Sequence, residues 1–158
     1  MLIALNSYHQ NTKHSYNSIR TNPNRVDWNN PPNKFKFYSK EYKRVHLNSS
    51  NQNYNFLYLI SGISAKKSYP SGEYYLRINP SAGALYPNEV YFQVRNVDGF
   101  EDGIYHLEVG SSCAVLLKKF EKNEGIENFL RLSYSVDGFI FFISSTQYKT
   151  CKKLAVML

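Results

Sequence analysis

The chain has 158 residues, 42% of them hydrophobic and 20% charged, and its 19 Lys and Arg outweigh 12 Asp and Glu to give a formal net charge of +7. That length suits one core and is short for two, and the composition excludes a disordered or membrane-embedded chain. The basic balance admits an anionic partner, whether a nucleic acid, a phosphate-bearing cofactor or an acidic peptide. The cations nevertheless lie in scattered pairs, Lys66 with Lys67, Lys118 with Lys119 and Lys152 with Lys153. This reads as a diffuse basic surface more than as a nucleic-acid stripe.

The N-terminus, "MLIALNSYHQ", lacks the basic start and small-residue cleavage pattern of a secretory signal. The longest apolar run, "FIFFI" at 139–143, is far below the roughly 18 residues of a membrane span. No membrane association and a cytoplasmic location are therefore expected. Residues 1–50 hold Pro23, Pro31 and Pro32 and no sustained period, so an irregular N-terminal arm with at most a short helix is predicted. Its aromatics, among them Tyr16, Trp28, Phe35, Phe37 and Tyr38, are too many for a free linker, so the arm should pack on its own core or on a second subunit.

Residues 51–158 are expected to form the folded domain. In "SSNQNYNFLYLISGI", Ser49 or Ser50 can cap a helix that gathers Phe56, Leu57 and Ile60 on one face, with Gly62 as the stop. A Pro-Ser-Gly turn then leads into a strand-like "EYYLRI". In "EVYFQVRNV", Val90, Phe92 and Val94 alternate with Tyr91, Gln93 and Arg95, the period of a half-buried strand, and "DGFEDG" turns the chain into a second arm, "IYHLEV". "CAVLLKKF" is a third strand candidate that could equally begin a helix. Ile126, Phe129 and Leu130 are spaced for a core-facing helix. "GFIFFISST" is apolar on both faces, which predicts a central strand covered on both sides. The pattern is that of an α+β fold.

Little chemistry is written in the usual motifs. His9 and His14 lie in the arm, His46 and His106 are isolated, and Cys113 and Cys151 have no metal-ligand spacing, so no metal site is expected. No GxSxG elbow, P-loop or paired-carboxylate signature is present. Fourteen Tyr and ten Phe could stack on bases, but they are not clustered as in a single-strand binder, so nucleic acid is disfavoured. What remains is "RINPSAGALYPNEVYFQV" at 77–94. Its Ser81, Ala82 and Gly83 would let backbone N–H groups approach a planar ring edge, and Arg77 could pair with a phosphate or with ring oxygens. The same residues could also form a simple tight turn.

Those residues, together with "YHQNTKH" at 8–14, "VDWNNPPNKFKFY" at 26–38, "LYLISGISAKKSYPSGEYYLRI" leading into the turn, and "GFEDGIYHLEV" at 99–109, give the chain its likeness. It resembles the SagB/ThcOx-type dehydrogenases of the nitroreductase superfamily, and "FFISSTQYKTCKK" at 141–153 looks like that family's next strand. The resemblance implies a nitroreductase-like mixed sheet flanked by helices, noncovalent FMN, a homodimer or tandem arrangement, and hydride transfer to flavin N5 from an azoline-type ring or a related small-molecule or modified-peptide substrate. It carries a flavin-contacting role onto Arg77, Pro80, Ser81, Ala82, Gly83 and Leu85, with Tyr86 and Pro87 continuing the motif and Tyr105 in the following strand; Asn11, Thr12 and Lys13 match the N-terminal signature without an assigned role. No catalytic residue is implied. The superfamily's arginine-serine-arginine phosphate motif is not visible, and family members continue past "TQYKTCKK" with further flavin-binding elements. The expected domain is therefore incomplete, with a noncatalytic flavin- or peptide-binding form as the alternative.

Overall fold

The computed structural model describes residues 15–21, 33–48, 52–70, 72–121, 124–130 and 132–146. Helix α1 (Tyr16–Thr21) belongs to one contact unit, and Asn33–Thr146 make up the other. In α1, Thr21 Oγ1 donates to the Asn17 carbonyl at 2.9 Å and the Arg20 guanidinium lies 4.7 Å from the Tyr16 ring centre.

Within Asn33–Thr146, five strands form one sheet: β1 (Arg44–His46), β4 (Asn88–Arg95), β5 (Gly103–Glu108), β6 (Cys113–Lys119) and β7 (Gly138–Ser145), in the order β1-β6-β5-β4-β7. Each neighbouring pair is antiparallel. β2 (Ile63–Tyr69) and β3 (Gly72–Arg77) form a separate hairpin in which Tyr69 pairs with Gly72; Ser71 of the expected Pro-Ser-Gly turn lies outside the described residues. Helix α2 (Gln52–Ser61) precedes it. Among the described residues no helix is long and apolar enough to cross a membrane, and no group of three His, Cys, Asp or Glu could hold a metal ion.

Strand alternation decides where the core sits. Val90, Phe92 and Val94 of β4 join Tyr105 and Leu107 of β5 and Ala114 of β6 in one buried cluster, capped by Leu57 of α2. Phe92 is fully buried and stacks on Tyr105 at 5.5 Å between ring centres. Ile60 packs against the same cluster, and Phe56 meets Phe139 at 5.1 Å, so the predicted helical face is the one used. At its end the Gly62 N–H donates to the Tyr58 carbonyl at 2.6 Å, and a Cβ on Gly62 would stand 2.5 Å from that oxygen. The proposed Ser49 or Ser50 cap lies outside the described residues. "CAVLLKKF" is a strand, β6, and part of the predicted arm reaches the core: Phe35 and Val45 pack on the cluster, and β1 adds an edge strand to β6.

Two expectations are corrected. The run at 139–143 is not central: among the described strands β7 pairs with β4 alone, and Phe141 and Ile143 are 39% and 67% exposed. An apolar pattern on both faces reports side-chain environment, not the number of strand neighbours. Here Phe139 and Phe141 face Phe92, while Phe142 stacks on Tyr91 on the opposite face. Residues 126–130 also fail to form a helix. Only one 3-10 turn, Ile126–Asn128, appears, and Phe129 is 85% exposed. The Glu127 carboxylate instead accepts from the Val136 N–H at 2.9 Å and from Gln93 at 2.8 Å, which anchors the segment through a polar group.

Tyr105 gives a pH test of this core. Burial, reinforced by the nearby Glu101 and Asp102 charges, pushes its phenol up to about 12 against an opposing backbone hydrogen bond from Glu101. The folded state thus holds this proton more tightly than the unfolded chain does. The resulting stability is full below about pH 10 and is lost as pH rises toward the folded value. Tyr105→Phe should give a shallower alkaline limb in urea-unfolding midpoints, with about 1 kcal/mol lost at neutral pH from the hydroxyl's bonds.

Candidate functional site

Arg77 ends β3 and is buried, with 5% of its surface exposed. Its backbone N–H donates to the Tyr86 hydroxyl at 2.9 Å, and its Nη2 donates to the Lys34 carbonyl at 3.1 Å. The guanidinium carbon lies 5.1 Å from the Tyr86 ring centre and 5.5 Å from that of Phe35. Two aromatic faces and one carbonyl thereby fix the head of the side chain. Nε and Nη1 are buried and have no hydrogen-bond partner among the described residues. Burial lowers the guanidinium pKa, and the Glu89 charge and Tyr86 oppose that shift.

The next residues form a strained turn. Ile78 is tied to α2's end, its N–H donating to the Gly62 carbonyl at 2.9 Å, and Ser61 Oγ donates to Asn79 Oδ1 at 2.9 Å. Ala82–Ala84 make a single 3-10 turn with Gly83 at φ 61°, and two non-glycine residues, Ala84 at φ 53° and Tyr86 at φ 45°, follow in the left-handed region. Each such residue costs about 1–3 kcal/mol and persists only where its surroundings over-determine it. Ser81 is one source of that constraint, because its Oγ accepts from the Tyr86 N–H at 2.8 Å. Gly83 is exposed, so the turn presents backbone without a side chain, and Tyr86 ties the turn to a buried arginine whose Nε and Nη1 have no partner among the described residues.

The fold of the chain is similar to the crystal structure of a protein from Anabaena variabilis that carries a nitroreductase assignment, with a TM-score of 0.70 and 21% identity over 96% of this chain. The chain has a nitroreductase-like fold. It spans 34% of the length of that neighbour. No family model matches the sequence, and no curated protein matches it.

Within this nitroreductase-like fold, Arg77, Ser81 and Tyr86 form one linked unit. Pro80 is exposed, while Leu85 is half-buried at the end of the turn. Tyr105 stands apart from that unit, in the core with its hydroxyl on the Glu101 backbone at 2.9 Å. Asn11, Thr12 and Lys13 lie outside the described residues. Sequence reasoning missed the sheet's second face. There the buried Glu89 carboxylate lies 3.2 Å from His106 Nε2, and Tyr91, directly opposite His106, has its ring centre 4.8 Å from the imidazole. Lys36 donates to the Tyr91 hydroxyl at 2.6 Å, and the Tyr38 hydroxyl is 3.3 Å from it; these hydroxyls hold the Lys36 ammonium well above its usual range. The alternation of β4 was the available signal, since Glu89 is two residues before Tyr91 on the non-core face, but nothing local tied either residue to His106.

The lock between strand and turn is testable. Tyr86→Phe leaves the buried Arg77 N–H without its acceptor and should cost about 1–3 kcal/mol, while Ser81→Ala should cost about 1 kcal/mol. Because both act through Tyr86, the double variant should lose measurably less than the sum in a urea-unfolding cycle.

Proposed function

We propose that the chain is an FMN-dependent oxidoreductase module of the nitroreductase superfamily, SagB/ThcOx-like in its motifs, acting on an azoline-type ring in a modified peptide or on a related small molecule. The observation that carries this reading is the buried Arg77, with Nε and Nη1 unpartnered, next to the left-handed Gly83–Tyr86 turn. An orphaned buried donor costs about 1–3 kcal/mol, so a site that retains two of them is built for an acceptor that completes it. A planar ring bearing carbonyl oxygens fits both parts: Arg77 supplies donors, and Gly83 supplies a stretch of backbone that no Cβ screens.

In this reading Arg77 and the turn from Pro80 through Ser81, Ala82 and Gly83 to Leu85 hold the cofactor. When bound, FMN supplies a two-electron acceptor that takes hydride at N5. The chain's own residues orient it: Ser81 fixes the turn, Tyr86 and Phe35 hold the guanidinium in place, and Lys34 limits its rotation through a backbone carbonyl. A homodimer is part of the proposal. The exposed Phe141 and Ile143 on β7, next to the half-exposed Phe56 of α2, support it as apolar surface that a second copy would cover.

The decisive measurement is the visible spectrum of the purified protein with and without added FMN. Flavin bands that bleach on reduction support the proposal, and colourless protein that takes up no FMN at micromolar concentration overturns it. Gly83→Asn separates approach from strain, because asparagine tolerates the left-handed backbone while adding a side chain. It should keep the unfolding midpoint and weaken FMN by at least about tenfold, equivalent to about 1.4 kcal/mol.

A further inference from the structure

A cleft of about 530 Å3 is lined, among the described residues, by Asn33, Lys34, Phe35, Lys36 and Phe37. That volume lies within the range of small-molecule sites, about 300–1,000 Å3. The chain bends at Lys34 and Phe35, and both phenylalanine rings are seated on Gly110, where a Cβ would stand 2.7 Å from Phe37 Cζ and 3.0 Å from Phe35 Cγ. The Phe35 ring is engaged in packing, edge-to-face with Tyr75 at 5.0 Å. Phe37 is 60% exposed, so a seated aromatic surface opens on the cleft.

Both lysine heads are held by uncharged partners. Lys36 donates to the Tyr91 hydroxyl at 2.6 Å and lies 5.0 and 5.3 Å from the ring centres of Tyr38 and Tyr91. Lys34 donates to the Glu73 carbonyl, 5.6 Å from the Tyr75 ring centre. The Glu73 carboxylate is itself engaged by Lys66 and by the Tyr75 hydroxyl, each at 2.5 Å. Lys43, Lys118 and Lys119 likewise have carboxylate partners, whereas among the described residues neither Lys34 nor Lys36 does. A hydroxyl or a carbonyl orients an ammonium without cancelling its charge, and a head already held in place has less rotamer freedom left for a ligand to remove. Two such charges and an apolar ring on one wall call for a ligand that is anionic at one end and flat in its body. We propose that this cleft binds a small aromatic carboxylate, its ring against Phe37 and its charge met by Lys36 and Lys34. The site goes beyond the flavin reading and does not rest on it.

The test is isothermal titration of the full chain with 2-naphthoate and with 2-naphthamide, a neutral molecule with the same ring. The carboxylate should bind at least about tenfold more tightly than the amide, and that advantage should shrink as salt is raised. Lys36→Gln, which removes one charge, should weaken 2-naphthoate toward the affinity of the amide and leave the amide unchanged, whereas Phe37→Ala should weaken both probes by a similar factor. Equal binding of the two probes, no binding of 2-naphthoate at millimolar concentration, or an undiminished carboxylate preference in Lys36→Gln overturns the proposal. Saturating FMN should leave 2-naphthoate binding in place; competition between them assigns the cleft to the flavin and overturns it. If FMN does not bind, the function proposed above fails, while the two-probe comparison still decides this site. If Lys36→Gln does not fold, Lys34→Gln replaces it: weaker 2-naphthoate with unchanged amide supports the inference, and unchanged 2-naphthoate overturns it.

Discussion

The two-sidedness of β4 governs this structure. One eight-residue strand pairs with β5 on one edge and β7 on the other, and its alternate side chains serve opposite purposes. Val90, Phe92 and Val94 supply the middle of the core, where Phe92 meets Tyr105, Phe139 and Phe141. Glu89, Tyr91 and Gln93 supply a polar second face with partners of its own. A slip of one residue in register would exchange the two sets and bury the wrong one. Everything described at the candidate site depends on that register, since it puts Glu89 against His106 while Tyr86, three residues earlier, reaches back to Arg77.

The second face shows how buried polar groups are accommodated without an apolar cover. Glu127 accepts from Gln93 and the Val136 N–H, close to Arg95. Glu108 accepts from the Tyr38 N–H, Ser111 and Arg44; burial pushes its carboxyl up, but these donors outweigh burial and hold it below the ordinary range. Burial of a charge is tolerated where its lone pairs are occupied. Arg77 leaves two buried nitrogens, Nε and Nη1, without a partner among the described residues, where Arg95 and His106 on the second face leave one each.

The elements legible in the sequence were those with a strong local period or stop signal. The alternation at 90–95 read correctly as a strand but not as a half-buried one, since Gln93 on its second face is as fully covered as Phe92; the Phe56, Leu57 and Ile60 face read correctly as helical, and the Gly-bounded turn at 98–103 joined the strands it was expected to join. The turn at 80–85 was legible as a compact small-residue segment. Its strain was not, because Ala84 and Tyr86 are not residues that announce a positive φ. The failed helix at 126–130 rested on three apolar positions, too few to outweigh a glutamate whose partners come from strands over thirty positions away and from Val136.

By itself the sequence determined which side chains share a face and where the chain turns, because side-chain period and turn chemistry are properties of neighbouring residues. The tertiary structure decided what those faces meet: β7 at the edge of the sheet that the described strands form, Phe35 and the Lys34 carbonyl on a guanidinium more than forty residues away, and a glutamate on a histidine in the adjacent strand. Contacts of that kind are set by closing long loops and by competition for buried hydrogen bonds across the whole core, and no local window of residues contains both partners.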